Sequence, residues 1–244
     1  MSLPIIAELA AIKSHAEIKN IKQAQHISEV VLRRVINKLT IGIGEVKFSK
    51  LIISELKQGG VKALAFEPIV AFGQGAADVH HVPTKNKLQI GDTVMLDFGT
   101  TINGYCSDMT RTFFFGEPAK RQAKIYADVL QAQELALKKL KAGHRNCGEI
   151  DYATRSYLGK KYPRRAFPHG LGHGVGTAIH EWPTLKPNSK DILKPNMIIT
   201  IEPGLYFKNW GGIRIEDMVV ITKHNVTDLT KFPKDLKSVI LKIK

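Results

Sequence analysis

The stretch Thr93-Val94-Met95-Leu96-Asp97-Phe98-Gly99-Thr100-Thr101-Ile102-Asn103-Gly104-Tyr105-Cys106-Ser107-Asp108-Met109-Thr110-Arg111-Thr112-Phe113-Phe114-Phe115 reads as two strands, 93–98 and 105–115, joined around Asn103-Gly104. Asn-Gly between apolar runs is a strong hairpin signal, because both residues tolerate the positive φ that a tight turn requires. Asp97 and Asp108 then lie on neighbouring strands. A four-residue loop, 101–104, sets them directly opposite each other, and a two-residue loop makes them diagonal neighbours. Either register puts both on one face, since side chains alternate with period two. Leu96 and Phe98 point into the other, apolar layer. Two carboxylates held together are destabilising unless they share a proton or a cation, so the pair argues for a metal.

The pattern recurs. Residues 88–99 match 193–204 at a constant offset of 105, with a leucine, the strand apolars, an acid and a glycine in register. In this second hairpin Thr200 and Glu202 share a face backed by Ile199 and Ile201. Arg214 and Glu216 share a face of the partner strand, 213–221, backed by Ile213 and Ile215. A simple ion pair from Arg214 to Glu202 or Glu216 is the competing explanation, but it leaves Asp97 and Asp108 unexplained.

Helices surround the hairpins. Ser14-His15-Ala16-Glu17 is a capping-box pattern opening a helix to about residue 37, with Ile18, Ile21, Ala24, Ile27, Val31 and Val35 on one side. Further helices are predicted over 45–57, 118–141 and 147–161. Each half therefore reads as helices beside an acid-bearing hairpin, an α+β domain with pseudo-two-fold symmetry.

Histidines complete the set. Pro168-His169-Gly170-Leu171-Gly172-His173-Gly174-Val175-Gly176 is glycine-rich and is followed by His180-Glu181. Glycines allow close backbone approach, and imidazole is the usual nitrogen ligand for transition metals. Four carboxylates and one histidine form an oxygen-rich set suited to a pair of Mn²⁺, Fe²⁺, Co²⁺ or Zn²⁺ ions.

Composition agrees with a folded soluble protein. The 244 residues are 43% hydrophobic and 24% charged, which excludes disordered, collagen-like and low-complexity classes. No apolar run reaches the ~18 residues of a membrane span, and the N-terminus lacks a secretory pattern. Cys106 and Cys147 are too few for a disulfide framework, so a cytoplasmic location is the expectation. The net charge of +14 invites a polyanion partner, but the basic residues occur as scattered short pairs. Neither a membrane nor a nucleic-acid partner is expected.

The ordered set Asp97, Asp108, His173, Glu202 and Glu216 resembles the ligand pattern of the pita-bread metallopeptidases, which include methionine aminopeptidases, aminopeptidase P, prolidase and creatinase. The words around it agree: Leu96-Asp97-Phe98-Gly99, Ser107-Asp108-Met109-Thr110-Arg111-Thr112, Gly172-His173-Gly174, His180-Glu181, Ile201-Glu202-Pro203-Gly204 and Ile213-Arg214-Ile215-Glu216-Asp217. The resemblance runs from about residue 12 to the C-terminus. It implies the pita-bread fold, a curved antiparallel sheet flanked by helices, with residues 1–11 as a lead-in and 12–244 as the catalytic domain. The separate N-terminal domain common in the family is expected to be absent.

The resemblance also implies a two-ion centre, with Mn²⁺ first among the candidates. Asp97 would hold one ion, Asp108 and Glu216 would bridge, and His173 and Glu202 would complete the other. His80 would contact the scissile amide or leaving nitrogen, and His180 would stabilise the tetrahedral intermediate. Glu202 would shuttle the proton, with a role as ligand alone left open. His169, Tyr206 and Arg214 would bind substrate. Arg214 before Glu216, and Thr110-Arg111-Thr112, resemble the Xaa-Pro branch. The implied activity is hydrolysis of an N-terminal Xaa-Pro bond by a metal-bridging hydroxide, on a peptide substrate, with a homodimer as the base-rate assembly. The competing readings are a methionine aminopeptidase, a creatinase-like hydrolase, and an inactive binding module contacting nucleic acid or ribosome. The sequence departs from the family at Phe72-Gly73-Gln74-Gly75, where Ser-Gly-x-Asn is usual, so a hydrogen-bonding group near the site is expected to be missing.

Overall fold

In the structure, a computed structural model that describes residues 5–243, helix α1 (Ile5–Ala11) precedes α2 (His15–Val35). The first four residues of the expected lead-in lie outside the described residues. Ser14 caps α2 as anticipated: its hydroxyl accepts from the Glu17 N–H at 3.4 Å, and the Glu17 carboxylate accepts from the Ser14 N–H at 2.7 Å. The buried side of α2 carries Ile18, Ile21, Ala24, Val31 and Val35. Helix α3 (Glu45–Gln58) lies beside it, and α4 (Lys120–Lys141) packs along α5 (Cys147–Gly159). No helix among the described residues is long and apolar enough to cross a membrane.

The strands are β1 (Ala63–Leu64), β2 (Ile69–Phe72), β3 (Thr93–Asp97), β4 (Thr100–Ile102), β5 (Tyr105–Cys106), β6 (Thr110–Phe115), β7 (Gly172–Gly174), β8 (Glu181–Leu185), β9 (Ile198–Ile201), β10 (Gly204–Phe207), β11 (Gly211–Arg214), β12 (Asp217–Ile221), β13 (Val226–Asp228) and β14 (Ile240–Leu241). Two sheets dominate, in the orders β14-β6-β3-β2 and β13-β12-β9-β7-β8, with the smaller β1-β4-β5 and β10-β11 beside them. Pairing is antiparallel except for β14 on β6, which is parallel. The apolar faces of both hairpins, including Leu96, Phe113, Ile199, Ile201 and Ile213, enter one core with α4 and α5.

The two long strands predicted over 105–115 and 213–221 are each interrupted, the first between β5 and β6 and the second between β11 and β12. At the first break the Thr100 N–H donates to Ser107 Oγ at 3.0 Å. The Ser107 carbonyl also presses on Gly99, where a Cβ would come within 1.8 Å. Only glycine permits that approach. The register nevertheless survives the break. Ile102 faces Tyr105 across the Asn103-Gly104 turn, with φ of 51° and 82°, and Asp97 faces Thr110. Asp108, two residues before Thr110, is therefore the diagonal neighbour of Asp97, as the two-residue turn requires.

The second hairpin differs. Asp217 faces Ile201 and Gly204 faces Arg214, so Glu202 and Glu216 fall at directly opposed positions inside the break. The pseudo-symmetry of the halves is thus approximate at the residues that matter most.

Candidate metal centre

The breaks free Asp108, Glu202 and Glu216 from the ladders, and the two hairpins bring them together with β7. Ligand atoms of Asp108, His173 and Glu216 lie within 4.8 Å of one another. His173 Nε2 is 3.4 Å from Glu202 Oε1 and 3.5 Å from Asp108 Oδ2. Asp97 lines the same cavity, which has a volume of about 360 Å³. Every residue nominated from the sequence lines this cavity except Tyr206, which stands behind it.

Threonines orient the glutamates in matching fashion. Thr110 donates to Glu216 Oε2 at 2.7 Å, and Thr200 donates to Glu202 Oε1 at 3.3 Å. The supporting backbone is fixed from below. The buried Gln133 amide donates to the carbonyls of Ile201 and Ile215, each just before a glutamate, at 3.0 and 3.2 Å. Arg111, fully buried, donates to the Glu216 carbonyl at 2.6 Å and pairs with Asp217 at 2.7 Å. Gln133 carried no signal in the sequence, where it reads as one more position of an amphipathic helix.

The donor set fits a cation. His173 Nδ1 lies 3.0 Å from the Gly174 carbonyl, a contact that requires a proton on Nδ1 and leaves the Nε2 lone pair facing two carboxylates. Burial first, and the nearby His180, lower its pKa to about 4, so the ring is neutral. Acceptors facing acceptors at this distance repel unless a proton or a cation lies between them. The buried Asp97 Oδ1 also has no hydrogen-bond partner. Burial first, then Glu216, Asp97 and Glu202, push Asp108 well above the carboxylate range, and burial with Glu202 and Asp97 does the same to Glu216. Burial and Asp97, opposed by Arg214, raise Glu202 to about 8. These acids are therefore held without their charges balanced by protein groups.

Arg214 is committed inside the protein. Its guanidinium pairs with Asp97 Oδ2 at 2.6 Å and donates to Tyr206 Oη at 2.8 Å, Thr110 Oγ1 at 2.9 Å and the Val79 carbonyl at 3.3 Å. The ion pair of Arg214 is thus made across the pseudo-two-fold to Asp97, not to Glu202 or Glu216 as the competing explanation supposed. Tyr206 Oη lies 2.9 Å from His169 Nε2, and His169 Nδ1 lies 2.7 Å from the Gly170 carbonyl. Protons ordered along this chain run from Arg214 to Tyr206 to His169. Burial, with Arg214 second, lowers His169 to about 3, so it too is neutral.

His80 and His180 stand exposed at the cavity rim, and the rings of His180 and His173 meet at a steep angle with centroids 4.3 Å apart. Burial lowers the pKa of His180, favouring its neutral form. The loop bearing His80 is anchored by Glu45, whose carboxylate accepts from the N–H groups of Phe72 and Thr84 at 2.8 Å each, from Thr84 Oγ1 at 2.7 Å and from His81 Nε2 at 2.8 Å. At Gly75, the position of the departure noted above, a Cβ would sit 3.0 Å from the His81 ring and 3.1 Å from that carboxylate, a tight fit. Trp182 and Trp210 pack on the core, and the buried Cys106 donates to the Thr177 carbonyl at 3.6 Å.

Lys186 was not singled out in the sequence, where it belongs to an ordinary polar loop. It lines the cavity, and among the described residues its ammonium has neither an ion pair nor a hydrogen bond.

Residues 19–223 match the profile of Metallopeptidase family M24. The Xaa-Pro dipeptidase of Pyrococcus furiosus is 37% identical over 232 residues, which cover 95% of this chain and 66% of that protein. The structure of Xaa-Pro dipeptidase from Bacillus anthracis superposes with a TM-score of 0.92 at 37% identity, over 97% of this chain and 66% of that one. X-Pro aminopeptidase from Thermotoga maritima MSB8 gives a TM-score of 0.92 at 33% identity, over 98% of this chain and 66% of that one. The chain spans 62–66% of the length of curated relatives it matches. The pita-bread architecture and the likeness to the Xaa-Pro branch both follow.

Proposed function

This chain belongs to metallopeptidase family M24, and from that premise we propose that it hydrolyses the peptide bond between an N-terminal residue and proline. The observation that carries the reading is the convergence of Asp97, Asp108, His173, Glu202 and Glu216 on one cavity, with the lone pair of a neutral His173 aimed at two carboxylates. These five residues would hold two divalent ions, with Mn²⁺ proposed because the set is oxygen-rich with a single imidazole. The ions, when bound, supply an activated water and a Lewis acid at the scissile carbonyl.

The remaining work falls to the chain itself. Glu202 Oε1 is occupied by Thr200, while Oε2 makes no hydrogen bond among the described residues. Oε2 is thus the atom that holds the proton of the attacking water and returns it to the departing proline nitrogen, which leaves as a secondary amine. His180, neutral and at the rim, donates to the developing oxyanion. His80, also at the rim, orients the scissile amide. His169 and Tyr206 wall the proline side. Arg214 acts chiefly by holding Asp97 and Tyr206, which leaves Lys186 as the cation for a substrate carboxylate. A cavity of about 360 Å³ suits a dipeptide. The buried free thiols of Cys106 and Cys147 accord with a cytoplasmic setting, and a homodimer remains the base-rate assembly.

The test is cleavage by chelator-stripped protein, with and without Mn²⁺, of Xaa-Pro, Xaa-Pro-Yaa and Met-Ala-Yaa peptides. Metal-dependent cleavage confined to bonds before proline is expected. Cleavage of Met-Ala-Yaa alone would replace the reading with that of a methionine aminopeptidase. No cleavage of any peptide would favour a binding role.

A further inference from the structure

His180 is given a demanding position and almost nothing to hold it there. Among the described residues its ring makes no hydrogen bond, and its neighbour is the His173 ring, steeply inclined to it. Such a ring takes its direction from its own backbone. That backbone belongs to the segment 175–180 between β7 and β8, which contains Gly176 and is exposed at Thr177 and Ala178.

Glu181, the next residue, ties the segment down. Its Oε1 accepts from the Ala178 N–H at 2.9 Å and from the Thr177 hydroxyl at 3.3 Å. The chain folds so closely over the carboxylate that a Cβ at Gly176 would come within 2.3 Å of it. The other oxygen, Oε2, receives Lys13 Nζ at 2.7 Å. The Lys13 side chain is 1% exposed and that of Glu181 is 15% exposed. Lys13 is held in turn: its N–H donates to the Asn196 carbonyl at 3.0 Å, and the adjacent Ile12 bridges Met197. Exposed lysine–glutamate pairs contribute little, but a shielded pair is geometrically demanding, because losing one partner strands the other charge.

We propose that Lys13 is a positioning residue for the hydrolytic reaction, fixing His180 at the cavity rim through its buried pair with Glu181. It lies before the family-matched residues, which begin at 19, and 168 positions from its partner. The inference rests on the role given to His180 above. The segment between α1 and α2 is thereby part of the machinery that sets the oxyanion side of the site.

The test is a double-mutant cycle on the metal-loaded protein with an Xaa-Pro substrate. Lys13→Met is expected to lower kcat about 10–100-fold, as small misplacements of a reacting group do, with KM within about twofold and bound metal unchanged. Lys13→Arg should restore most of the loss. In a His180→Ala background, Lys13→Met should cost nothing further. Equal losses in both backgrounds would overturn the proposal and leave a purely structural pair. If Lys13→Met does not fold, Glu181→Gln and the doubly neutral Lys13→Met/Glu181→Gln variant enter the same cycle. An independent readout needs no turnover: the imidazole NMR signals of His180, identified by their loss in His180→Ala, should shift in the Lys13 variant while those of His80 stay in place. Unmoved His180 signals would overturn the proposal. Failure of the wild-type protein to cleave any peptide would count against the functional reading alone, and the NMR shift would still decide on Lys13.

Discussion

Arg214 on β11 reaches across the pseudo-two-fold to Asp97 on β3, with Nη2 2.6 Å from Oδ2. This contact joins a candidate ligand of one half to a cation of the other, and the same guanidinium fixes Tyr206 and Thr110. A planar fork is required to reach all three, which a lysine ammonium cannot supply. Arg214→Lys is therefore expected to lower kcat/KM by about 10–100-fold at saturating Mn²⁺, the usual cost of losing a residue that orients a ligand. A variant with wild-type kcat/KM would show that Asp97 needs no such support.

The metal-free protein should be destabilised by alkali. A carboxylate whose pKa is raised by folding adds stability below its unfolded value and loses it as pH rises through the folded one. Glu202 has an ordinary value of 4.5 and rises to about 8, and Asp108 and Glu216 move the same way. Chelator-stripped protein should therefore show a falling Tm between about pH 4.5 and 8, and added Mn²⁺ should flatten the profile. A Tm independent of pH in stripped protein would contradict the uncompensated cluster.

Glu45 should behave in the opposite sense. Burial alone would raise it, but donors from His81, Phe72 and Thr84 outweigh burial and hold it at about 2. Its contribution is present above the ordinary value of 4.5 and lost as pH falls toward 2. Glu45→Gln should cost about 2 kcal/mol at pH 7, the scale of hydrogen bonds to a charged group. The gap from wild type should shrink on acidification, as denaturant titrations at several pH values would reveal. Because Glu45 anchors the loop carrying His80, the variant should also lose activity.

Lys186 offers a direct check on substrate length. Lys186→Gln should lower kcat/KM for an Xaa-Pro free acid about tenfold, mainly through KM, with little change for the corresponding amide. Equal effects on acid and amide would remove Lys186 from substrate recognition. The side chain is exposed and unpaired among the described residues, so folding should be unaffected.

Much of the site was legible in local pattern. Strand alternation put Asp97 and Asp108 on one face in either of two registers, and the structure contains the diagonal one. What the pattern hid were the breaks at 107–109 and 215–216. Continuous β-type composition gives no sign that a Ser107 hydroxyl takes over a ladder bond or that Gly99 admits a carbonyl. The same breaks are what turn Asp108, Glu202 and Glu216 toward one centre.

Local order, then, was written in the chain: capping box, turn, period-two faces, glycines where backbone approaches closely, and the ordered acids and histidine whose chemistry calls for a cation. Those features depend on residues a few positions apart, where covalent geometry fixes the spacing. Tertiary structure alone decided that Arg214 would take Asp97 rather than Glu202 or Glu216, that Gln133 would hold both glutamate strands, and that Lys13 would be sealed against Glu181. Each joins residues far apart in sequence, where no periodicity links them. The partner of a buried charge is set by which elements pack together, because desolvation penalises any arrangement that leaves the charge alone.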